Sequence, residues 1–581
     1  HPYTNNDPSV TATLEEFARA TVKLNVIMQT DFGGHGVFAG NTLQNTVHYL
    51  RSPLLHDFEG VLKGQTAVLC GAGPSLSANL SMLRDYQDRV FVFAVSSALK
   101  RVQAAGVRVD ATAVVDYSHL SKRYFDGLSS YPPLWSQAGA HPSVFNAYQG
   151  KILLAERDDY HVLLNDVVKH RGGEVDESTN VSHHGFQVLK LLGASTIIMI
   201  GMDQAYSNHV THVAGAAMYD EMVASSGRFT TLENQELIIV SCGEDRVSAG
   251  KDVNGVDLLT DRQMNESAIT FESIFAKLQG AKAINATGAG RRLRGAEDMP
   301  FEKAMESYAQ AAVDLSEYHK RLERPADATK KDLSKGRARL DVKRRFGQRI
   351  ESALKRLAVA YEKAAENIRA GKSGDVNSAA DALAAIARED EHLYAALSRY
   401  ASADMFERKR ALRDVAEADL PDNERHAQTA EIEGNYAKAF RIGVSRWLKH
   451  AERGLRAITN VIEGKEPSLG LEDEAEKQED SPEGNKTIDA YIEFRDDEAS
   501  ALAFVGDEEY SPLAQALGVL RASKRIRRIV VNRARSELPQ WLEDEGIVFV
   551  QGSTKPDIPR RHDAKRLMAW NAVGTLRGVT M

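Results

Sequence analysis

Cys70 and Cys242 are the only cysteines in 581 residues. Two thiols in so long a chain exclude a disulfide framework and suit a reducing compartment. No run of 18 apolar residues occurs, so no membrane-spanning helix is expected, and no leader pattern precedes the first expected helix. Positive charge is not in excess either. Lys and Arg total 73 against 81 Asp and Glu, a net charge of −8, which speaks against a dedicated nucleic-acid binder. These absences leave an expected cytoplasmic protein. What the chain does have is length and 43% hydrophobic residues, enough for more than one core and for two to four domains.

The most informative stretch is Thr66–Leu76, TAVLCGAGPSL. Its apolar half reads as a buried strand that breaks into a glycine turn. Gly71 and Gly73 permit a sharp turn and close approach to the backbone, Ala72 sits between them, Pro74 suits the first position of a helix, and Ser75 is placed to satisfy a free N–H. A strand, a glycine turn and a helix start present N–H groups to an anion such as a phosphate. The third glycine of a dinucleotide fingerprint is missing.

Around this turn the pattern divides the chain. Residues 1–61 read as an N-terminal helical extension, with Leu14, Phe17, Ala20 and Leu24 at helical spacing and a second helix over Thr42–Leu50. Residues 62–300 alternate strands and helices, with strands expected at Thr66–Cys70, Val90–Val95, Ala111–Val115, Lys151–Ala155, Thr196–Ile200 and Leu237–Val240. Such alternation implies an α/β fold with a doubly wound, largely parallel sheet covered on both faces. Ligands then bind beyond the carboxyl ends of the strands, at Gly71–Ser75, Ser96-Ser97, Asp116-Tyr117 and Gly201–Tyr206. Residues 301–462 carry the three-and-four spacing of a helical bundle, with Phe346, Ile350, Leu354, Leu357, Tyr361 and Ile368 in one helix and Leu383 to Tyr400 in another, capped by Asn377 or Ser378. Residues 463–485 read as an acidic linker. Residues 486–581 read as a small α/β module with strands at Thr487–Phe494, Arg528–Val531 and Ile547–Gln551.

A second constellation lies late in the sheet domain. Asn180–Gly185, NVSHHG, offers Ser182, His183 and His184 at an expected helix start, again an anion site. The strand Thr196–Ile200 runs into Gly201-Met202-Asp203-Gln204-Ala205-Tyr206, followed by His209 and His212. Asp203 at a strand's carboxyl end suits a base or a hydroxyl ligand. The spacing His209-x-x-His212 is not a standard zinc pattern, and no cysteine pair supports one. No G-x-S-x-G elbow is present for a serine hydrolase.

These motifs resemble a known family. Gly71–Leu76, GAGPSL, resembles the opening motif of the bacterial sialyltransferases that use CMP-activated sugars, and VDATAVVDY ending at Asp116-Tyr117 resembles the strand on which they place an Asn near the nucleotide. The closest resemblance is to the motility accessory factor (Maf) group of flagellin nonulosonate transferases, through GAGPSL, Asp116, Gly201–Tyr206, His212–Gly215 and AINATGAGRRLRG at 283–295. The chain departs from the pattern with Met202 in place of Gln and with His183-His184-Gly185 at the glycine-rich helix start. The resemblance implies a Rossmann-like, sialyltransferase-like catalytic domain. It also implies transfer of a pseudaminic- or legionaminic-type sugar from a CMP donor to Ser or Thr hydroxyls of flagellin, in support of flagellum assembly and motility. In that reading no cofactor is required and a divalent metal is optional. Gly71, Ala72, Gly73, Pro74, Ser75, Ser96, Ser182 and Gly201 face the nucleotide sugar and Asp116 holds ribose or base. His212, His183, His184, Asp203 and Tyr206 are the catalytic candidates, and the helical region docks flagellin. Two other readings stay open. One is an Mg²⁺-dependent diphosphotransferase like the pterin pyrophosphokinases, with Asp116 and Asp203 near the metal. The other is a non-catalytic flagellin-binding assembly partner.

Overall fold

The computed structural model describes residues 37–467 apart from 54, 156–161, 164–179, 208–209, 228–230, 242–247 and 324–325, together with the backbone of four strands further on. Leu14 to Leu24, His209, Cys242 and the acidic linker from residue 468 on fall outside the described residues.

Five-residue apolar runs form the centre of the sheet because nothing in them demands water. Every residue of β1 (Thr66–Cys70), β2 (Phe91–Val95) and β6 (Thr196–Ile200) is buried, the mark of a sheet covered on both faces. The other strands of the sheet domain are β3 (Ala111–Val114), β4 (Leu134–Gln137), β5 (Ile152–Ala155), β9 (Lys282–Asn285) and the short β10 (Glu297–Asp298), while β7 (Ser248–Lys251) and β8 (Asp257–Thr260) form a separate antiparallel pair. The eight-stranded sheet runs β10-β9-β6-β1-β2-β3-β4-β5, and every pairing is parallel. The fold is α/β. The chain leaves β1 outward through β2 to β5, then returns to lay β6 on the other side of β1. Right-handed crossovers put the helices of the two directions on opposite faces. The helix Val181–Leu191 lies over β1 to β3 and meets the helix Arg262–Ala276 through Phe186 and Phe271. The helix Leu76–Tyr86 buries Leu76, Leu80 and Leu83 as its spacing predicts.

Several elements differ from expectation. Leu237–Val240 belongs to a helix, Leu232–Ser241, not a strand. A four-residue apolar run fits either, and here Thr231 accepts from the Asn234 N–H through its hydroxyl and starts the helix. β4 and β9 are too short and too mixed to stand out from their sequence. The helix expected at Thr42–Leu50 is instead two pieces, residues 37–44 and Thr46–Arg51, joined at Asn45.

The helical region is built on two antiparallel helices, Ala326–Arg369 and Asp422–Ile462, the longer spanning about 66 Å at 1.5 Å per residue. Their packing is close where glycine removes a side chain: Gly347 faces Trp447, and Gly434 faces Tyr361. Ion pairs hold the outside, with Arg369 on Glu424 and Glu431 and Arg408 on Glu433. The stretch expected as one helix from Leu383 to Tyr400 is broken into Asn377–Ala387 and Glu391–Ser398. Asp390 starts the second by accepting from the Leu393 N–H. Of the terminal module, the three expected strands are observed and a fourth, Glu498–Phe504, is added between them. The order is β12-β11-β13-β14 for β11 (Ile488–Arg495), β12 (Glu498–Phe504), β13 (Ile526–Val531) and β14 (Phe549–Gln551).

Candidate functional site

Because β1 and β6 are neighbours from which the chain departs in opposite directions, their carboxyl ends form the topological switch point of the sheet, the place where ligands bind in such folds. The glycine turn follows β1 and the Asp203 loop follows β6. The two loops are joined to each other. The Gly71 N–H donates to the Ile200 carbonyl and the Gly73 N–H to the Gly201 carbonyl, both at 2.9 Å. The Ser75 hydroxyl donates to Asp203 Oδ2 at 2.7 Å and its N–H to Oδ1 at 3.3 Å.

This contact explains the glycines. A Cβ on Gly71 would lie 2.5 Å from the Gly201 oxygen, and one on Gly73 would overlap the Asp203 carboxylate. The bare backbone therefore admits the chain's own loop, where the sequence suggested room for a ligand. Of the turn's N–H groups, only that of Ala72 meets no acceptor among the described residues. The carboxylate of Asp203 occupies the helix start where an external anion was expected. It is 2% exposed, and burial raises its pKa while the Ser75 hydrogen bonds pull it back. A third loop, after β9, closes over it: the Arg291 N–H donates to the Asp203 carbonyl at 2.8 Å. Met202 fills the position of the family's Gln by packing its sulfur against Gly71.

The remaining sequence candidates scatter. Tyr206 is buried, and its hydroxyl donates to Asp261, which also caps the helix Arg262–Ala276. Burial, then Asp261, pushes the Tyr206 pKa up. His183 and His184 lie in the first turn of the helix but are buried. The helix begins at Val181, Asn180 accepts from the Ser182 and His183 N–H groups, and both imidazoles point into the core. His183 packs on Phe271 and bonds the Ser267 carbonyl at 2.9 Å. Burial lowers both histidines to a pKa of about 4. Ser182 is half-buried beside them. Ser96 is the buried first residue of the helix Ser96–Ala104, at the end of β2. Pro74 is half-buried in the turn. Asp116 is exposed at the end of β3, where its carboxylate accepts from the Ser118 N–H.

His212 is brought to the turn. The next residue, Val213, donates its N–H to the Ala72 carbonyl at 2.9 Å. The Nδ1 of His212 is buried without a partner, and its pKa is lowered by burial first and by the charge of Arg123 second. Arg123 reaches across from the turn after β3 to pair with Glu221.

Arg101, from the helix after β2, donates to the Ser77 hydroxyl at 3.3 and 3.2 Å and runs past Gly215. It meets no carboxylate among the described residues. Arg101 and Arg123 thus lie beside the His212–Gly215 segment that meets the glycine turn. Arg101 and Arg123 carry no motif, and only the folded chain brings them to His212.

Residues 40–209 match the family model described as 6-hydroxymethylpterin diphosphokinase MptE-like. Among solved structures the chain is similar to a Maf glycosyltransferase from Magnetospirillum magneticum AMB-1, at 14% identity, over 81% of this chain and 67% of that one, with a TM-score of 0.41. The family-model description names a group that the sequence motifs resemble. No curated protein sequence matches the chain. No helix among the described residues is long and apolar enough to cross a membrane.

Proposed function

We propose that the chain is a glycosyltransferase that moves a nonulosonic acid of the pseudaminic or legionaminic type from a CMP-activated donor to Ser or Thr hydroxyls of flagellin. The motif resemblance supplies the chemistry. The observation that carries it is the placing of Arg101 and Arg123 beside the His212–Gly215 segment that meets the glycine turn.

In this reaction the bond between the sugar's anomeric carbon and the CMP phosphate oxygen breaks through an oxocarbenium-like state. The acceptor hydroxyl oxygen attacks that carbon and loses its proton. The departing phosphate needs positive charge, which Arg101 supplies beside the Ser77 hydroxyl. The proton needs a neutral base, and a histidine whose pKa is held below its ordinary value is neutral near pH 7. His212 takes it on its imidazole. Asp203 and Tyr206 act as positioning residues: Asp203 locks the turn through Ser75, and Tyr206 is oriented by Asp261. Asp116 contacts ribose or base. Cationic side chains facing a monophosphate make a divalent metal optional. Flagellin docks on the helical region.

The family-model match favours a second reading, transfer of diphosphate from ATP with Mg²⁺. The carboxylates do not fit it. Asp203 has both oxygens on Ser75, and Asp116 follows a strand three places away in the sheet, about 14 Å at the usual strand spacing. No group of three His, Cys, Asp or Glu stands ready for a metal among the described residues.

Incubation of the full chain with recombinant flagellin and a CMP-nonulosonic acid tests the proposal. The expected result is a mass gain of one sugar residue per modified site, with equimolar CMP release. Unmodified flagellin together with Mg²⁺-dependent AMP formation from ATP and a hydroxymethylpterin would replace it with the second reading.

A further inference from the structure

Helix 37–51 lies between the helical region and the loops after β3 and β4, and its Asn41 and Asn45 face those loops. Asn45 is fully buried at the joint between its two pieces, and its side-chain amide donates to the Ala138 and Ala140 carbonyls, both at 2.7 Å. Asn41, one turn earlier, donates to the Tyr117 carbonyl at 3.2 Å and the Gly139 carbonyl at 3.0 Å. Four hydrogen bonds from two amides thus hold the backbones of residues 117 and 138–140. The loops are joined to each other by the His141 N–H, which donates to the Asp116 carbonyl at 3.1 Å. The Asn45 oxygen has no partner. The residue is therefore present for its two donors, since a buried acceptor left bare is costly unless the donors are needed.

The opposite side of the same helix meets the bundle closely at three glycines, beside a small cavity lined by Ala39, Leu43, Leu393 and Trp447. A Cβ on Gly454 would lie 2.5 Å from the Leu43 carbonyl, and one on Gly336 would overlap Leu50. Gly40 faces the His450 ring, with 2.7 Å left for a Cβ, and Gln44 bonds the same ring at 3.2 Å. Close packing at these glycine contacts transmits displacement along the helix.

We infer that helix 37–51 is a positioning strut: Asn41 and Asn45 set the β3 and β4 loops that carry Asp116 and His141, and the bundle sets the strut. A change in the bundle, such as the docking of a protein on it, then reaches the open side of the crevice through two asparagines. That these loops belong to a nucleotide-sugar site rests on the function proposed above. The mechanical link does not.

Hydrogen exchange on the full-length chain separates the two. Asn45→Ala is expected to speed exchange of the Ala140 and His141 amides at least tenfold while β1 and β6 keep their protection. Gly454→Ala, whose nearest neighbours are Leu43 and Leu340, is expected to speed the same two amides severalfold. If Asn45→Ala does not fold, Asn41→Ala takes its place. Faster exchange at 37–51 in Gly454→Ala with Ala140 and His141 unchanged overturns the inference, and so does unchanged loop exchange in both asparagine variants. CMP affinity is measured on the same samples. Looser loops with weakened CMP binding support strut and site together, whereas looser loops with unchanged CMP binding keep the strut and count against the nucleotide reading of these loops.

Discussion

The two sides of the crevice are built on opposite principles. On the β1/β6 side the residues with the strongest sequence signature are bonded to one another: Gly71 and Gly73 to the β6 carbonyls, Ser75 to Asp203, and Tyr206 to Asp261. On the β3/β4 side Asp116 and Tyr117 stand exposed, and their loop is held from behind by the asparagines of helix 37–51. A motif here marks a scaffold that has little freedom to vary, while Arg101, a group left open for chemistry, comes from a place without one. The comparison separates residues whose loss should unfold the domain from residues whose loss should silence it.

Acid should expose the first class most strongly. His48, His183 and His184 are each held at a pKa of about 4, below the ordinary 6.5, because burial disfavours their charge. The unfolded chain binds more protons than the folded one between these values. Stability is therefore complete above pH 6.5 and falls as pH drops toward 4, by about 3 kcal/mol per histidine. Equilibrium denaturation across pH 4–8 should show this loss, and His183→Phe should remove about one third of it.

His212→Gln belongs to the second class. Removal of a general base is expected to lower kcat about 10²- to 10⁴-fold with the melting temperature kept within a few degrees. In the unaltered chain kcat should rise with pH with its midpoint below the ordinary histidine value of 6.5, since burial lowers the His212 pKa. A large fall in melting temperature would move His212 into the scaffold.

Asp203→Ala should return to stability. It strips two hydrogen bonds from Ser75 and one carboxylate from a helix start, a loss of about 2–4 kcal/mol read by denaturant titration. Asp203→Asn, which keeps the shape, should recover part of it. An unchanged midpoint with lost turnover would instead make Asp203 a chemical group.

The smallest effect is expected at Arg101. Arg101→Ala should weaken nucleotide binding about 10- to 30-fold, the worth of one charge-assisted contact, without altering stability.

How much of this could be read beforehand follows from range. β1, β2 and β6 are short apolar runs beside glycine or polar turns, so local pattern found them, and so did the heptad-like spacing of Phe346 to Ile368. Leu237–Val240 shows the limit, because four apolar residues carry no period that separates strand from helix. The site was legible as a set of loops and not as a set of contacts. That Gly73 faces Asp203, or that Arg101 reaches Ser77, depends on strand order, which no local pattern encodes. His183 and His184 were drawn toward function by their residue type, yet one extra helical turn at Val181 rotates them into the core.

The central claim is that Arg101, Arg123 and His212 receive the phosphate of a cytidine monophosphate sugar. Thermal unfolding of the unaltered chain and of Arg101→Ala with CMP, CDP, UDP, ATP and GTP, each with and without Mg²⁺, tests it most directly, since a ligand that binds the folded state raises stability by mass action. The account predicts that CMP raises the melting temperature without metal and that Arg101→Ala reduces the rise. Stabilisation by ATP that requires Mg²⁺, or a flat response to all five nucleotides, would contradict it.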